Sequence, residues 1–217
     1  MLLALNKVHF PITTLGHGRR VGIWTQGCSI HCPGCLSRDT WAPDAGRAVE
    51  VATLVATLAP WLAQADGVTI SGGEPFDQPA ALGELVAALR RHLAGDVLVF
   101  SGYAHEQLFA KHGALTAELD VLISEPFEAG AGQTLALRGS DNQRVFLLSE
   151  LARARYPADL DRMAWPPQRR LDVMLEGDAV WLAGIPHVGE LARLRQELAR
   201  RGFTCQTSDQ ADPQVRA

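Results

Sequence analysis

The stretch Val21-Gly-Ile-Trp-Thr-Gln-Gly-Cys28-Ser-Ile-His-Cys32-Pro-Gly-Cys35 joins a short apolar run to three closely spaced cysteines. The run Val21–Thr25 is typical of a buried β-strand. Cys28, Cys32 and Cys35 follow it on a predicted loop, at spacings of four and three residues. Thiolates at these spacings can converge on one face of a metal centre. The stretch therefore predicts a strand that ends at a metal or redox site.

Similar apolar runs alternate with amphipathic stretches along the first two-thirds of the chain. The predicted strands are Val21–Thr25, Val68–Ser71, Val97–Ser101, Asp120–Ser124 and Arg144–Leu148. The predicted helices are Val49–Gln64 (interrupted at Pro60), Pro79–Leu93 and His105–His112. Because the strands are continuous apolar runs, we expect them to be buried on both faces. Strand–helix–strand order with such runs predicts an α/β fold with a parallel sheet.

The composition of the 217-residue chain is that of an ordinary globular protein, with 47% hydrophobic and 20% charged residues. A net charge of −4 gives no basic surface for a phosphate backbone, so we expect no nucleic-acid partner. No apolar run approaches the roughly 18 residues of a membrane span, so we expect no membrane association. Lys7 and His9 interrupt the apolar start, so we expect no export signal and a cytoplasmic location.

The composition changes near residue 149, which divides the chain into three predicted parts. Residues 1–148 form the core, 149–170 a proline-containing linker or irregular wrap, and 171–217 a small ββαβ extension. The predicted elements of the extension are strands Leu171–Leu175 and Ala179–Ala183 about a Gly177-Asp178 turn, a helix over Val188–Arg201 and a strand at Phe203–Gln206. This extension either covers an open sheet edge or a helix face, or serves as a docking surface or lid for a partner.

The cysteine pattern argues against a disulfide framework, because three of the four cysteines fall within eight residues and Cys205 lies far away. Structural zinc sites take four ligands, usually as two pairs, and His31 lies between two thiolates with little freedom to complete a tetrahedron. Ferredoxins hold their cube with four cysteines. Three cysteines around an iron–sulfur cluster with one open iron is the remaining arrangement, and a zinc site is the alternative.

A second motif, Ser71-Gly72-Gly73-Glu74-Pro75, follows the next predicted strand. Glycines there permit a tight turn and the close approach of a ligand to the backbone. Together with the C-x3-C-x2-C spacing, this motif resembles the radical S-adenosylmethionine (SAM) superfamily. The segments Phe100-Ser-Gly-Tyr103 and Leu137-Arg-Gly-Ser-Asp-Asn-Gln-Arg144 are similar to those of the activating enzymes of glycyl radical enzymes. The resemblance is nearest to the anaerobic ribonucleotide reductase activases and covers about residues 6–148.

The resemblance implies a partial (β/α) barrel of the radical SAM type, a [4Fe–4S] cluster and SAM as cofactors. Cys28, Cys32 and Cys35 would ligate three irons, and SAM would bind the fourth. The residues expected around the cluster and SAM are Gly34, Leu36, Gly72, Gly73, Glu74, Ser101 and Tyr103. The residues expected to contact SAM or the partner are Glu125, Arg138, Asn142 and Arg144.

The function that the resemblance implies is reductive cleavage of SAM to a 5′-deoxyadenosyl radical, which installs a glycyl radical on a partner enzyme. The expected partners are a glycyl radical enzyme subunit and an electron donor of the flavodoxin or ferredoxin type. Two alternatives stay open at this point. One is a radical SAM enzyme that acts on a small molecule or a peptide, and the other is a non-catalytic iron–sulfur or zinc module.

Overall fold

The computed structural model describes residues 1–166, 170–176 and 179–211, in which one seven-stranded sheet carries the site. Its strands are β1 (Leu2–Ile12), β2 (Arg20–Thr25), β3 (Ala48–Glu50), β4 (Gly67–Gly72), β5 (Asp96–Phe100), β6 (Val121–Ser124) and β7 (Arg144–Leu147). The helices of this part are α1 (Val51–Leu62), α2 (Pro79–Arg90), α3 (His105–Thr116) and α4 (Glu150–Arg155). Strands β2, β4, β5 and β6 are parallel neighbours, which confirms the predicted parallel α/β core.

Antiparallel strands cover both edges of this parallel core. The order across the sheet is β3-β1-β2-β4-β5-β6-β7, and β1 pairs antiparallel with both β2 and β3. On the other side β7 pairs antiparallel with β6. Within the described residues β3 and β7 end the sheet without pairing with each other. The strands that were expected to form a partial barrel therefore form an open sheet in the described residues.

Helices α1 and α2 supply the apolar layer over the sheet. Leu54 and Leu58 of α1 and Leu82 and Leu85 of α2 are buried at three- and four-residue steps, in one core with the parallel strands. The interruption predicted at Pro60 is wrong, because α1 runs through it to its end at Leu62. Pro60 is exposed near the end of the helix, so the lost backbone hydrogen bond falls where water can replace it.

A buried ion pair joins the N-terminal ends of three parallel strands. Arg20 and Asp96 have fully buried side chains, with Nη2 of the arginine 2.8 Å from Oδ2 of the aspartate. Arg20 also donates to the Thr69 hydroxyl and to the Val68 carbonyl, both at 2.7 Å. Burial raises the pKa of Asp96, but hydrogen bonds and the charge of Arg20 outweigh it and hold that pKa below its usual range. This network ties β2, β4 and β5 together at the end of the sheet opposite the cysteines.

The chain beyond β7 is partly regular. After α4 it packs Leu160 into a second apolar cluster and continues to a hairpin of β8 (Leu171–Glu176) and β9 (Ala179–Gly184), followed by α5 (Glu190–Arg200). The predicted Gly177-Asp178 turn lies outside the described residues. The strand predicted at Phe203–Gln206 is wrong, because residues 203–207 have no regular secondary structure. Phe203 is exposed there, and its N–H donates to the Leu198 carbonyl of α5 at 3.0 Å and not to a strand.

Among the helices in the described ranges, none combines the length and the hydropathy that a membrane span requires.

Candidate active site

The carboxyl ends of three neighbouring parallel strands carry the predicted functional residues. The cysteine loop, residues 26–37, follows β2, the Gly-Gly-Glu turn follows β4, and Ser101 follows β5. Because β4 pairs with both β2 and β5, these three segments are adjacent. Ligand sites of open parallel α/β sheets lie outside this end of the strands. The topology therefore brings the two sequence motifs to one place.

Backbone hydrogen bonds fix the start of the cysteine loop. The Gly27 N–H donates to the Thr40 carbonyl at 2.8 Å, and the Cys28 N–H donates to the Trp41 carbonyl at 3.1 Å. His31 stacks on Trp41, with the two ring centroids 4.6 Å apart. The imidazole between the cysteines is therefore held against an indole ring, and the loop is ordered by contacts of its backbone.

The three thiols are half-buried and face one cavity. Burial is the largest influence on each and raises the pKa of Cys28, Cys32 and Cys35, against the lowering effect of backbone N–H groups. Three thiols on one cavity fit a centre that takes three cysteine ligands, whereas a structural zinc site needs a fourth ligand.

Gly72 and Gly73 let the end of β4 approach the cysteine loop. Gly72 has a φ of +107°, and a Cβ there would lie 2.4 Å from the backbone nitrogen of Thr25. A Cβ on Gly73 would lie 2.0 Å from the carbonyl oxygen of Gly27. That same carbonyl accepts the N–H of Glu74 at 2.8 Å. Gly72 is required for packing against the end of β2 and Gly73 for packing against the cysteine loop, and their contact with a ligand stays a prediction.

Glu74 is a buried carboxylic acid held between two strand ends. Its side chain accepts hydrogen bonds from the Ser101 hydroxyl at 2.8 Å, the Gly102 N–H at 2.7 Å and the Phe76 N–H at 2.9 Å. Burial raises the pKa of Glu74 to about 7, although these three donors lower it. A carboxylate has about four lone-pair positions, so one acceptor position remains for a ligand. Ser101, which the sequence assigns to SAM, therefore supports Glu74.

Asp77 is a residue of the site that the sequence analysis missed. Its carboxylate accepts from the Ser29 N–H at 2.7 Å and the Ser29 hydroxyl at 2.8 Å, next to Cys28. It also accepts from the Tyr103 hydroxyl at 2.6 Å, a bond that raises the pKa of the tyrosine. Tyr103 is not among the described residues that line the cavity. The Asp77 carboxylate thus clamps the cysteine loop to the turn after β4, and no sequence motif marks it.

The two arginines that were expected to contact SAM or the partner interact with other residues of the protein. Arg138 is 1% exposed and donates to the carbonyls of Gln143 at 2.6 Å and Leu160 at 3.2 Å. The Arg144 guanidinium lies over the Phe146 ring, with Nη1 2.9 Å from His105 Nε2, and Arg144 is not among the described residues that line the cavity. Gln143, from the same Leu137–Arg144 box, does line the cavity. The box is therefore at the site, with a different side chain facing inward.

The other two predicted contacts also lie away from the cavity lining. Asn142 donates from its side-chain nitrogen to the Pro126 carbonyl at 2.8 Å. Glu125 has a left-handed φ of +81° and accepts from the His105 N–H at 3.0 Å. Its carboxylate, His105 and Glu106 form the one group in the described ranges whose ligand atoms lie within 4.8 Å of one another. Arg144 Nη1 lies 2.9 Å from His105 Nε2, so a cation already stands next to the imidazole of this group.

One cavity of about 1120 Å³ lies over the strand ends. Its inner wall is the cysteine loop, including Gly34 and Leu36, with the Gly-Gly-Glu turn, Ser101 and Gln143. Its outer wall comes from the extension, through residues 180–192 and 206–209. Small-molecule pockets measure roughly 300–1,000 Å³, so this cavity has room for a cofactor and part of a substrate.

Comparisons with known proteins agree with this site. A family model described as a 4Fe-4S single cluster domain matches residues 14–146. The anaerobic ribonucleoside-triphosphate reductase-activating protein of Escherichia coli K12 is 29% identical over 146 residues, or 63% of this chain and 94% of that protein. The protein of the same name from Enterobacteria phage T4 is 31% identical, covering 60% of this chain and 85% of its own. The pyruvate formate-lyase-activating enzyme of Staphylococcus aureus USA300 is 30% identical, and the alignment covers 74% of this chain and 65% of that enzyme.

An α/β protein with a three-cysteine loop and a Gly-Gly-Glu turn at adjacent strand ends is an iron–sulfur protein of the radical SAM class. The chain belongs to the 4Fe-4S single cluster domain family, among the radical SAM activating proteins of glycyl radical enzymes. The resemblance drawn from the motifs is confirmed. The family model ends at residue 146, about two-thirds of the way along the chain.

Proposed function

We propose that this protein activates an anaerobic ribonucleotide reductase by installing a glycyl radical on it. The observation that carries the proposal is that three thiols and the Gly-Gly-Glu turn face one cavity at the carboxyl ends of parallel strands. The similarity to the E. coli and phage T4 activating proteins supports the choice of partner. A donor of the flavodoxin or ferredoxin type would supply the electron.

Cys28, Cys32 and Cys35 would hold a [4Fe–4S] cluster with one iron left open for SAM. When bound, the two cofactors supply one-electron cleavage of a carbon–sulfur bond and hence a carbon radical that can take a hydrogen atom. The protein's part in such chemistry is to bind, orient and exclude water. The backbone bonds of the cysteine loop and the Asp77 clamp serve orientation, and the half-buried setting of the thiols serves the exclusion of water.

Glu74 is the residue best suited to hold the amino group of SAM. Its carboxylate lines the cavity and is fixed by three donors, which leaves acceptor capacity for an ammonium group. A cation close to Glu74 favours the ionised acid and so lowers the pKa that burial has raised. SAM binding and deprotonation of Glu74 would therefore support each other.

The part of the cavity lining that comes from the extension supports a second candidate function, catalysis on a small molecule. Residues of the extension between 180 and 192 and at 206–209 contribute to the lining of the cavity. A half-open cavity of this size suits a small-molecule substrate of a radical SAM enzyme as well as a protruding glycine segment. Detection of a radical on an added partner separates these two functions.

The test is anaerobic reconstitution followed by activation. Wild type should bind about four irons and four sulfides per chain, and with SAM and dithionite it should produce an organic radical on an anaerobic ribonucleotide reductase, seen by electron paramagnetic resonance. Cys28→Ala should lose the cluster. Cys205→Ala is the matched control, because Cys205 is not among the residues that line the cavity, and it should keep full iron. A wild type that binds only zinc, or cleaves SAM without producing a radical on the reductase, would overturn the proposal.

A further inference from the structure

The outer wall of the cavity contains a segment that is held much less firmly than the rest of the protein. We call residues 189–211, which include α5 and the short turn Ser208–Gln210, the lid segment. The strand before it is anchored, because Ala183 and Ile185 are buried in an apolar cluster with Ile12 and Trp24. By contrast, no residue of α5 is buried. Elements with few buried apolar contacts open at low free-energy cost.

The far end of the lid segment is attached directly to the cysteine loop. The Ser208 hydroxyl donates to the carbonyl of Leu36, and an Arg38 Nη1–H donates to the carbonyl of Asp209 at 3.3 Å. Leu36 and Arg38 lie one and three residues after Cys35. The Asp209 side chain pairs with Arg195 of α5 at 2.9 Å, so helix and turn form one unit. The contacts form a latch between a loosely packed helix and the loop that carries the thiols.

The region that the family model matches does not include this segment. The family model ends at residue 146, and 146 aligned residues already account for 94% of the E. coli protein. The chemistry common to the family therefore does not need the lid segment. In this chain Gly189, Leu191, Ala192 and residues 206–209 of the segment add to the lining of the cavity.

We propose that the lid segment is a latched cover of the cluster cavity, hinged near Gly189 and closed onto Leu36 and Arg38, which opens when the radical-accepting segment of the partner enters. Gly189 has a φ of +83° and begins α5, a backbone conformation at which the chain turns sharply. The identity of the partner rests on the proposed function, whereas cover and latch need only a bound cluster. The closed cover would shield the cluster from solvent between reactions.

The experiment measures how fast a loaded cluster loses iron to a soluble ferrous chelator, bathophenanthroline disulfonate. In the full chain, Ser208→Ala removes the bond to Leu36, and Ser208→Ala with Asp209→Ala also removes the ion pair with Arg195, which keeps its bond to the Thr207 hydroxyl. One net hydrogen bond changes an opening equilibrium by roughly two- to tenfold, so we expect iron release to rise by that factor in the first variant and further in the second. Glu197→Ala, which removes exposed pairs with Arg200 and Arg201 on α5, should leave the rate unchanged.

Hydrogen exchange of the α5 amides in the same samples shows whether the lid segment has opened. Faster exchange together with faster iron release supports the cover. Faster exchange with iron release at the wild-type rate would show that the segment moves without guarding the cluster. Unchanged exchange in both variants would show that these contacts are not a latch. Either of the last two results overturns the inference, and a wild type that takes up no cluster would overturn the proposed function instead.

Discussion

Gly73→Ala should destabilise the protein at the cysteine loop. The added Cβ would lie 2.0 Å from the Gly27 oxygen and 2.7 Å from its carbonyl carbon, where ordinary contacts begin at 3.4 Å. Both atoms are backbone, so no side-chain rotation relieves the clash. The two segments must separate by about an ångström or more, which breaks the 2.8 Å bond from the Glu74 N–H to Gly27.

The expected loss can be worked from these contacts. Overpacking costs about 1–3 kcal/mol and a lost backbone hydrogen bond about 1 kcal/mol, so we expect a loss of about 2–4 kcal/mol in the free energy of unfolding. Anaerobic denaturation of the cluster-free protein measures this loss, and iron analysis after reconstitution measures the damage to the loop.

The matched control is Gly83→Ala, in the middle of α2. The nearest atom to a Cβ there is Leu115 Cδ1 at 3.8 Å, so the methyl group fits and should stabilise the helix by about 0.5–1 kcal/mol. A Gly73→Ala protein with wild-type stability and full iron would refute the claim that the turn packs against the cysteine loop.

Two further predictions concern carboxylates at opposite ends of the sheet. Asp77→Ala should lower stability by about 1–2 kcal/mol through lost hydrogen bonds to Ser29 and reduce the iron bound per chain, and proteolysis of the loop in the cluster-free protein should quicken. Unchanged iron content and cleavage would contradict the clamp. Asp96→Asn should cost about 3–5 kcal/mol at neutral pH, because Arg20 stays buried without a counter-charge. The pKa of Asp96 is held low, so the stabilisation from its carboxylate is present above the usual aspartate pKa of about 4 and is lost as pH falls through the lower folded value. The difference in free energy of unfolding between Asp96→Asn and wild type should therefore shrink as the pH falls, which denaturation experiments at several pH values measure. A difference that stays constant down to pH 2 would contradict this assignment.

The parallel strands could be predicted because burial on both faces leaves continuous apolar runs such as Val97–Val99. Strand β1 was missed because Asn6, Lys7 and His9 interrupt its apolar residues, and only pairing with β2 and β3 orders it. The strand predicted at Phe203–Gln206 after the last helix does not form, and within the described residues this segment pairs with no strand. Local residue preferences identify an element only when a partner is present to receive it.

The site divides in the same way. The cysteines and the Gly-Gly-Glu turn could be predicted because their spacing in the sequence is enough to indicate a cluster and cofactor site. Asp77 could not be, since its role depends on the folded loop bringing Ser29 to it. Arg138 was expected to face a ligand, yet carbonyls within the folded chain, including that of Leu160, surround it. A charged residue in a polar motif does not reveal whether its partner is a ligand or the protein's own backbone.

The Arg20–Asp96 pair lies at the far end of the strands from the cysteine loop, and this separation bears on how the protein can evolve. The residues that tie β2, β4 and β5 together are distant from those that form the cavity. Loops at the cavity end can therefore change, and a new segment can be added there, without weakening the bonds that hold the sheet together. A lineage with this scaffold can alter partner recognition by small steps, each of which leaves a folded protein for selection to act on.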